Sequence, residues 1–152
     1  MKIKSVNYSD LKKIISLEKE VFVENAFSGD LIEKLIKRNI FFLKLEIGKI
    51  KKELIGFIIV IKDREECVNI INFLIKLEFQ NKGYGSYLLQ KTIERIKKTP
   101  EIKKVILNVQ ESNSNAIKLY EKFNFKKKPK KLEKYYQSGE NAYLMELNIA
   151  SA

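Results

Sequence analysis

Apolar and polar positions alternate at two periods along this chain, and the switches between the periods mark out its elements. Met1 to Val6 alternates charged and apolar residues, which predicts a first strand. Behind Ser9-Asp10, a pair suited to a helix N-cap, Leu11, Ile14, Ile15 and Leu17 recur at helical spacing. Val21 to Phe27 breaks that period. Ser28-Gly29-Asp30 then opens a second short helix, Leu31 to Arg38, with Leu31, Ile32, Leu35 and Ile36 apolar.

Phe41 to Ile47 alternates again as a strand, with Lys44 and Glu46 on its outer face. Leu54 to Ile61 is more continuously apolar, which predicts a strand covered on both faces. Cys67 to Leu77 is a third strand of this meander. A helix from Ser86 to Lys98 carries Leu88, Leu89, Ile93 and Ile96, and Thr99-Pro100 ends it. Lys104 to Val109 reads as a strand in parallel pairing after the helical crossover. A helix from Asn113 to Phe123 follows, then two closing strands around Phe125 to Tyr136 and Asn141 to Asn148. The order β-α-α-β-β-β-α-β-α-β-β predicts a single α/β domain over residues 1–152, with a mixed sheet of about seven strands and four helices.

Composition narrows the chemistry. The 152 residues, 45% hydrophobic and 32% charged, suit one soluble globular domain. No apolar run reaches the length of a membrane span, and Met1-Lys2-Ile3-Lys4 leads into no signal-peptide core, so a cytoplasmic protein is expected. The single cysteine, Cys67, rules out an internal disulfide, and the absence of histidine rules out His-centred triads. No metal site is expected. Proton transfer falls to Glu, Asp, Tyr, Lys, water or the substrate. The net charge of +11 is spread over the chain, with clusters at Lys97-Lys98, Lys103-Lys104 and Lys126 to Lys131. With few aromatics among them these lysines read mostly as a solvated surface, and no specific nucleic-acid binding is expected.

Gln80-Asn81-Lys82-Gly83-Tyr84-Gly85 stands between a predicted strand and a predicted helix. A glycine-containing turn that feeds a helix presents unpaired N–H groups to an anion, and glycines there permit positive φ and close approach. The spacing lacks the third glycine and downstream acid of a dinucleotide fingerprint, and no G-K-[ST] follows. By itself the turn is a weak signal. The hexamer, however, resembles the pyrophosphate loop (Q/R-x-x-G-x-G/A) of the GNAT superfamily of N-acetyltransferases. Ser112 to Phe125 is similar to that family's S-N-x-x-A-x-x-L-Y-x-x-x-x-F segment. Lys134 to Met145 resembles the K/N-Y-Y-x-x-G-E-D-A-Y-x-M ending of protein amino-terminal acetyltransferases of the ribosomal-protein-alanine type.

The resemblance implies a GNAT fold and acetyl-CoA as cosubstrate. It puts the pyrophosphate on the amides from Lys82 to Ser86, including Gly83, Tyr84 and Gly85, with Gln80 and Asn81 alongside. It lays the pantetheine against Leu74-Ile75, where a bulge would open the sheet and the Ile75 N–H would polarise the thioester carbonyl. Asn113 would bond the cofactor arm, cap its helix, or both. Tyr120 matches the tyrosine that protonates the departing thiolate; without the motif it would read as a core tyrosine. The strand before the S-N motif carries Leu107-Asn108-Val109 where relatives carry Glu or His, so Asn108 serves at best to orient a water. Val23-Glu24-Asn25 resembles the family's P-E-N, which makes Glu24, between Phe22 and Phe27, the candidate base; a surface glutamate is the alternative. Tyr135 and Tyr136 would bind the acceptor backbone or form a cross-strand aromatic pair.

The activity implied is transfer of acetyl to the α-amine of protein N-termini, by direct attack in a ternary complex. The alternatives are an acetyltransferase for lysine side chains or polyamines, and a non-catalytic CoA- or ribosome-binding module. The partners implied are an acceptor peptide or protein N-terminus and a transient ribosome contact, with the chain a monomer or homodimer and no membrane involved.

Overall fold

Leu54, Phe57 and Ile59 pack into one hydrophobic core, while Ile55, Ile58 and Val60, on the same strand, pack into another. That strand is β3 (Glu53–Arg64), and its unbroken apolar run is explained by cover on both faces. The computed structural model describes residues 1–149. Around β3 run β1 (Lys2–Ser5), β2 (Phe41–Ile47) and β4 (Cys67–Ile75), all paired antiparallel in sequence. β5 (Lys104–Gln110) adds in parallel to β4, and β7 (Ala142–Asn148) inserts between β5 and β6 (Lys126–Leu132). The sheet is seven-stranded in the order β1-β2-β3-β4-β5-β7-β6.

Four helices cover it. α1 (Leu11–Phe22) and α2 (Gly29–Lys37) bury Ile14, Leu17, Ile32 and Leu35 in the first core. α3 (Tyr84–Lys97) and α4 (Ser114–Lys122) bury Leu88, Leu89, Ile93, Ile96 and Tyr120 in the second. Each such aliphatic side chain contributes about 1.5–3 kcal/mol when fully buried, which is what holds a nine-residue helix such as α2 in place. Gly56 lets β3 close on β4: a Cβ there would lie 2.6 Å from Ile75 Cδ1 and 2.7 Å from the Leu74 carbonyl oxygen.

The architecture matches the expected α/β order, with corrections at element ends. A 3-10 turn, Tyr8–Asp10, capped by Asn7, precedes α1; Asp10 stands at the N-cap of α1 as expected, but its carboxylate accepts from the Asn7 N–H instead of capping α1. The expected strand Phe125 to Tyr136 stops at Leu132, so Tyr135 and Tyr136 lie in the connection to β7. β6 carries the lysine cluster and lies at the sheet's edge, where lysines discourage pairing with another chain. Among the described residues no helix is long and apolar enough to cross a membrane.

Candidate active site

β4 and β5 are joined through only four positions, Cys67 to Ile70 against Lys104 to Leu107. Beyond them the strands part. On β3, Ile59 and Val60 face Asn72 and Ile70, so Ile71 is an extra residue in β4, and a bulge of this kind bends its strand. The irregularity expected at Leu74-Ile75 is not there: those two keep regular register against Phe57 and Gly56, and the bulge lies upstream. The gap opens into a cleft of about 400 Å³.

Register also fixes which main-chain groups face the gap. The Lys76 N–H donates to the Ile55 carbonyl at 2.7 Å, which makes Gly56 and Ile75 a non-hydrogen-bonded pair. Phe73 and Ile75 therefore turn their main-chain groups towards the cleft, while those of Leu74 are committed to β3. The Phe73 N–H donates to its neighbour Asn72 Oδ1 at 2.9 Å. The Ile75 carbonyl accepts from Gln80 Nε2 at 2.8 Å, which ties the loop to the strand end.

The loop then delivers a row of free amides. Gly83, at φ +89°, is the N-cap of α3 and brings no side-chain cap. The Tyr87 N–H to Gly83 carbonyl bond, 3.1 Å, comes after the amides of Tyr84, Gly85 and Ser86, which no turn of helix precedes. Only Gly83 uses the left-handed freedom expected of both glycines. Gly85 sits inside α3, where a Cβ would make ordinary contacts, 3.5 Å to Phe73 Cζ and 3.6 Å to Ile75 Cγ1. Gln80, Asn81, Gly83, Gly85 and Ser86 line the cleft. Lys82 and Tyr84 do not: both pack on Phe79, the lysine Nζ 5.8 Å from the ring centre and the tyrosine edge-on at 6.0 Å. Across the gap Asn113 faces the cleft and caps α4, accepting from the Ala116 N–H at 3.2 Å.

Tyr120 projects from α4 into the same cleft, wedged between Phe73 and Phe125 at 6.2 and 5.7 Å between ring centres. Burial pushes its phenol well above the usual tyrosine range, with Tyr136 a second cause. Tyr136 lines the cleft too, and burial raises it likewise, reinforced by Tyr135 and Glu140. Two such phenols stay protonated at neutral pH and act as donors.

Phe22 and Phe27 line the other end, with Asn25 between them. Glu24 does not: in the 3-10 turn Val23–Asn25, entered through Val23 at φ +51°, it is exposed while its neighbour Asn25 faces inwards. Asn25 bonds Ser138, tying the α1–α2 loop to the β6–β7 connection. Tyr135 is 51% exposed and stacks edge-on against Tyr136, outside the cleft. It reaches the site through Asn108, whose Nδ2 donates to the Tyr135 hydroxyl at 3.0 Å and whose buried Oδ1 has no protein partner.

Glu18 belongs to no sequence motif. It lines the cleft and is 1% exposed, its carboxylate accepting from the Phe27 N–H at 2.8 Å and from Asn72 Nδ2. The signal was present: Ile14, Glu18 and Phe22 lie four apart on one stripe of α1, an acid where the pattern asks for an apolar side chain.

Residues 10–125 match the model of the acetyltransferase (GNAT) family. An N-alpha-acetyltransferase of Sulfolobus acidocaldarius is 29% identical over 154 aligned positions, covering 94% of this chain and 89% of that protein. Among solved structures, Ard1 from Thermoplasma volcanium aligns with a TM-score of 0.87 at 22% identity, covering 99% of this chain and 98% of the other. The ribosomal-protein-S18-alanine N-acetyltransferase from Escherichia coli aligns with a TM-score of 0.82 at 23% identity, covering 99% and 95%.

Proposed function

This chain belongs to the acetyltransferase (GNAT) family, and from that premise we propose that it transfers acetyl from acetyl-CoA to the α-amine of protein N-termini. One observation carries the reading: a single cleft is lined both by the start of α3, with its free amides, and by Phe22, Asn25 and Phe27 of the α1–α2 segment, where Asn25 is tied to Ser138. The amides of Gly85 and Ser86 suit a pyrophosphate, since helix N-termini hold anions. The cleft-facing main chain of Phe73 and Ile75 suits an amide-bearing arm that pairs like a strand.

The acceptor then enters between Phe22, Phe27 and Tyr136, and its neutral amine attacks the thioester in a ternary complex. Tyr120 protonates the departing sulfur, being a buried donor that lines the same cleft. An acyl-enzyme on Cys67 has no support: that thiol is buried outside the cleft, and burial raises its pKa. Asn108 accepts a hydrogen bond from the amine through its unpartnered Oδ1 but takes no proton. A cytoplasmic setting and a transient ribosome contact fit a substrate that emerges during synthesis.

The test is turnover of acetyl-CoA with matched peptides carrying a free or a blocked α-amine, beside free lysine and a polyamine. Acetylation of the free α-amine alone supports the reading. Preference for a polyamine sinks it, and no turnover with any amine points to a binding module.

A further inference from the structure

Deprotonation of the acceptor needs a group that the expected residues do not supply. Asn108 cannot take a proton, and Glu24 is exposed outside the cleft. Tyr120 and Tyr136 hold their protons too tightly at neutral pH. Among the described residues that line the cleft, Glu18 is the one carboxylate.

Its placement is unusual for a structural role alone. On the Ile14–Phe22 stripe an apolar residue would continue the core, whereas a charged carboxylate there costs stability at neutral pH. The two bonds it accepts, from Phe27 and Asn72, come from the acceptor loop and from the β4 bulge. A carboxylate offers about four lone-pair sites, so roughly half remain for an ammonium or a water.

Resting on the acetyl-transfer reading above, we propose that Glu18 is the catalytic base, taking the proton from the acceptor's ammonium directly or across one water. The ammonium gives one proton to the Glu18 carboxylate, and the freed lone pair forms the C–N bond. The C–S bond breaks with its electrons going to sulfur. Tyr120 gives that sulfur a proton and recovers one, by way of solvent, from the nitrogen. Glu18 releases its own proton to solvent, so one proton leaves per turnover.

The surroundings suit the task. Burial lifts the Glu18 carboxyl above the usual range, opposed by the bonds from the Phe27 N–H and the Asn72 amide. No charged side chain from α1, the α1–α2 loop or β4 contributes to that shift, and the other titratable groups lining the cleft are Tyr120 and Tyr136. A base closer to neutrality is better matched to an amine.

The experiment follows kcat/KM against pH for wild type, Glu18→Gln and Glu24→Gln, with acetyl-CoA and a peptide that wild type acetylates. Glu18→Gln is expected to lose on the order of 10²–10⁴-fold near neutral pH and to recover as alkaline pH delivers the amine already neutral. CoA affinity by calorimetry stays at the wild-type value. A loss that is the same at every pH, an unchanged profile, or a larger pH-dependent loss in Glu24→Gln overturns the assignment. Should Glu18→Gln not fold, Asn72→Asp gives an independent reading: a second carboxylate beside Glu18 moves the acidic limb to higher pH by about one unit or more, and an unmoved limb is again fatal. Wild type that acetylates another amine but no peptide overturns the N-terminal acceptor reading instead, and the same variants are then followed with that amine; wild type that acetylates no amine overturns the acetyl-transfer reading and this assignment with it.

Discussion

Asn25 and Ser138 bond each other in both directions: the Asn25 Nδ2 donates to Ser138 Oγ at 3.2 Å, and the Ser138 N–H donates to Asn25 Oδ1 at 3.0 Å. The two residues are 113 positions apart, and nothing else of that reach ties the α1–α2 loop to the β6–β7 connection by side-chain hydrogen bonds among the described residues. Asn25 also lines the cleft, so the tie holds part of its wall.

Asn25→Ala removes both bonds, Ser138→Ala only one. At about 0.5–1.5 kcal/mol per bond, Asn25→Ala is expected to raise the peptide KM by roughly 5–150-fold and Ser138→Ala by roughly 2–10-fold, with CoA affinity unchanged. The double variant should be no worse than Asn25→Ala, since the removed interaction is shared. Steady-state kinetics reads the first and calorimetry the second.

Gly85 offers a cleaner test of the cofactor side than Gly83, whose positive φ would strain any replacement. The contacts awaiting a Cβ at Gly85 are ordinary and the family loop admits alanine there, so Gly85→Ala is the control that keeps fold and affinity, while the branched Gly85→Val adds bulk beside the α3 amides. CoA affinity measured by calorimetry should fall by about tenfold or more in Gly85→Val, roughly 1.4 kcal/mol, and stay near wild type in Gly85→Ala. Undiminished affinity in a folded Gly85→Val removes the α3 amides from the cofactor site.

Tyr120→Phe deletes one buried hydroxyl and leaves the ring between Phe73 and Phe125. If that hydroxyl protonates the thiolate, kcat falls by roughly 10²-fold or more, about 3 kcal/mol, with CoA affinity unchanged. Equal kcat in the two proteins returns Tyr120 to the core.

Glu111 holds the base of the β6–β7 connection, accepting from Lys131 Nζ, from Asn141 Nδ2 at 2.9 Å and from the Tyr143 hydroxyl at 3.4 Å. Those partners, Lys131 first, lower its carboxyl below the usual value of 4.5. A folded-state pKa below the unfolded one stabilises the fold above the unfolded value, and the gain is lost as pH falls through the folded one. Glu111→Gln should therefore melt below wild type at neutral pH, with the gap closing in acid below about pH 4. A gap in melting temperature that persists unchanged into acid would show that the charge of Glu111 is not what matters.

The sequence carried the fold further than it carried the site. Alternation alone placed β2 at Phe41 to Ile47, and the apolar run of β3 announced cover on both faces. The bulge at Ile71 was hidden because Ile70 and Ile71 are identical in character, and only pairing with β3 reveals the extra residue. The cleft gathers Gln80, Gly85, Asn113, Tyr120 and Tyr136 from the three motif segments. It leaves out Tyr135, because β6 ends at Leu132 and the chain turns before the doublet. Glu24 drew notice through a three-residue likeness, while Glu18, six positions earlier, broke the helical stripe without matching any motif. A polar residue in an apolar stripe is weak evidence until the opposing wall is known; here that wall is Asn72.

The short ladder between β4 and β5 divides the backbone hydrogen bonding of the sheet into two blocks, β1 to β4 on one side and β5, β7 and β6 on the other. Phe73 and Ile75 hold out groups for which β5 has departed. An elongated amide-bearing molecule laid in that gap would act as a missing strand, so the protein would be architecturally whole only while engaged in its reaction. Occupancy should then slow amide hydrogen exchange along both banks of the seam and raise the melting temperature with ligand concentration, by about 2.7 kcal/mol of added stability at a hundredfold excess over Kd. The cosubstrate would be, for part of each cycle, a piece of the sheet.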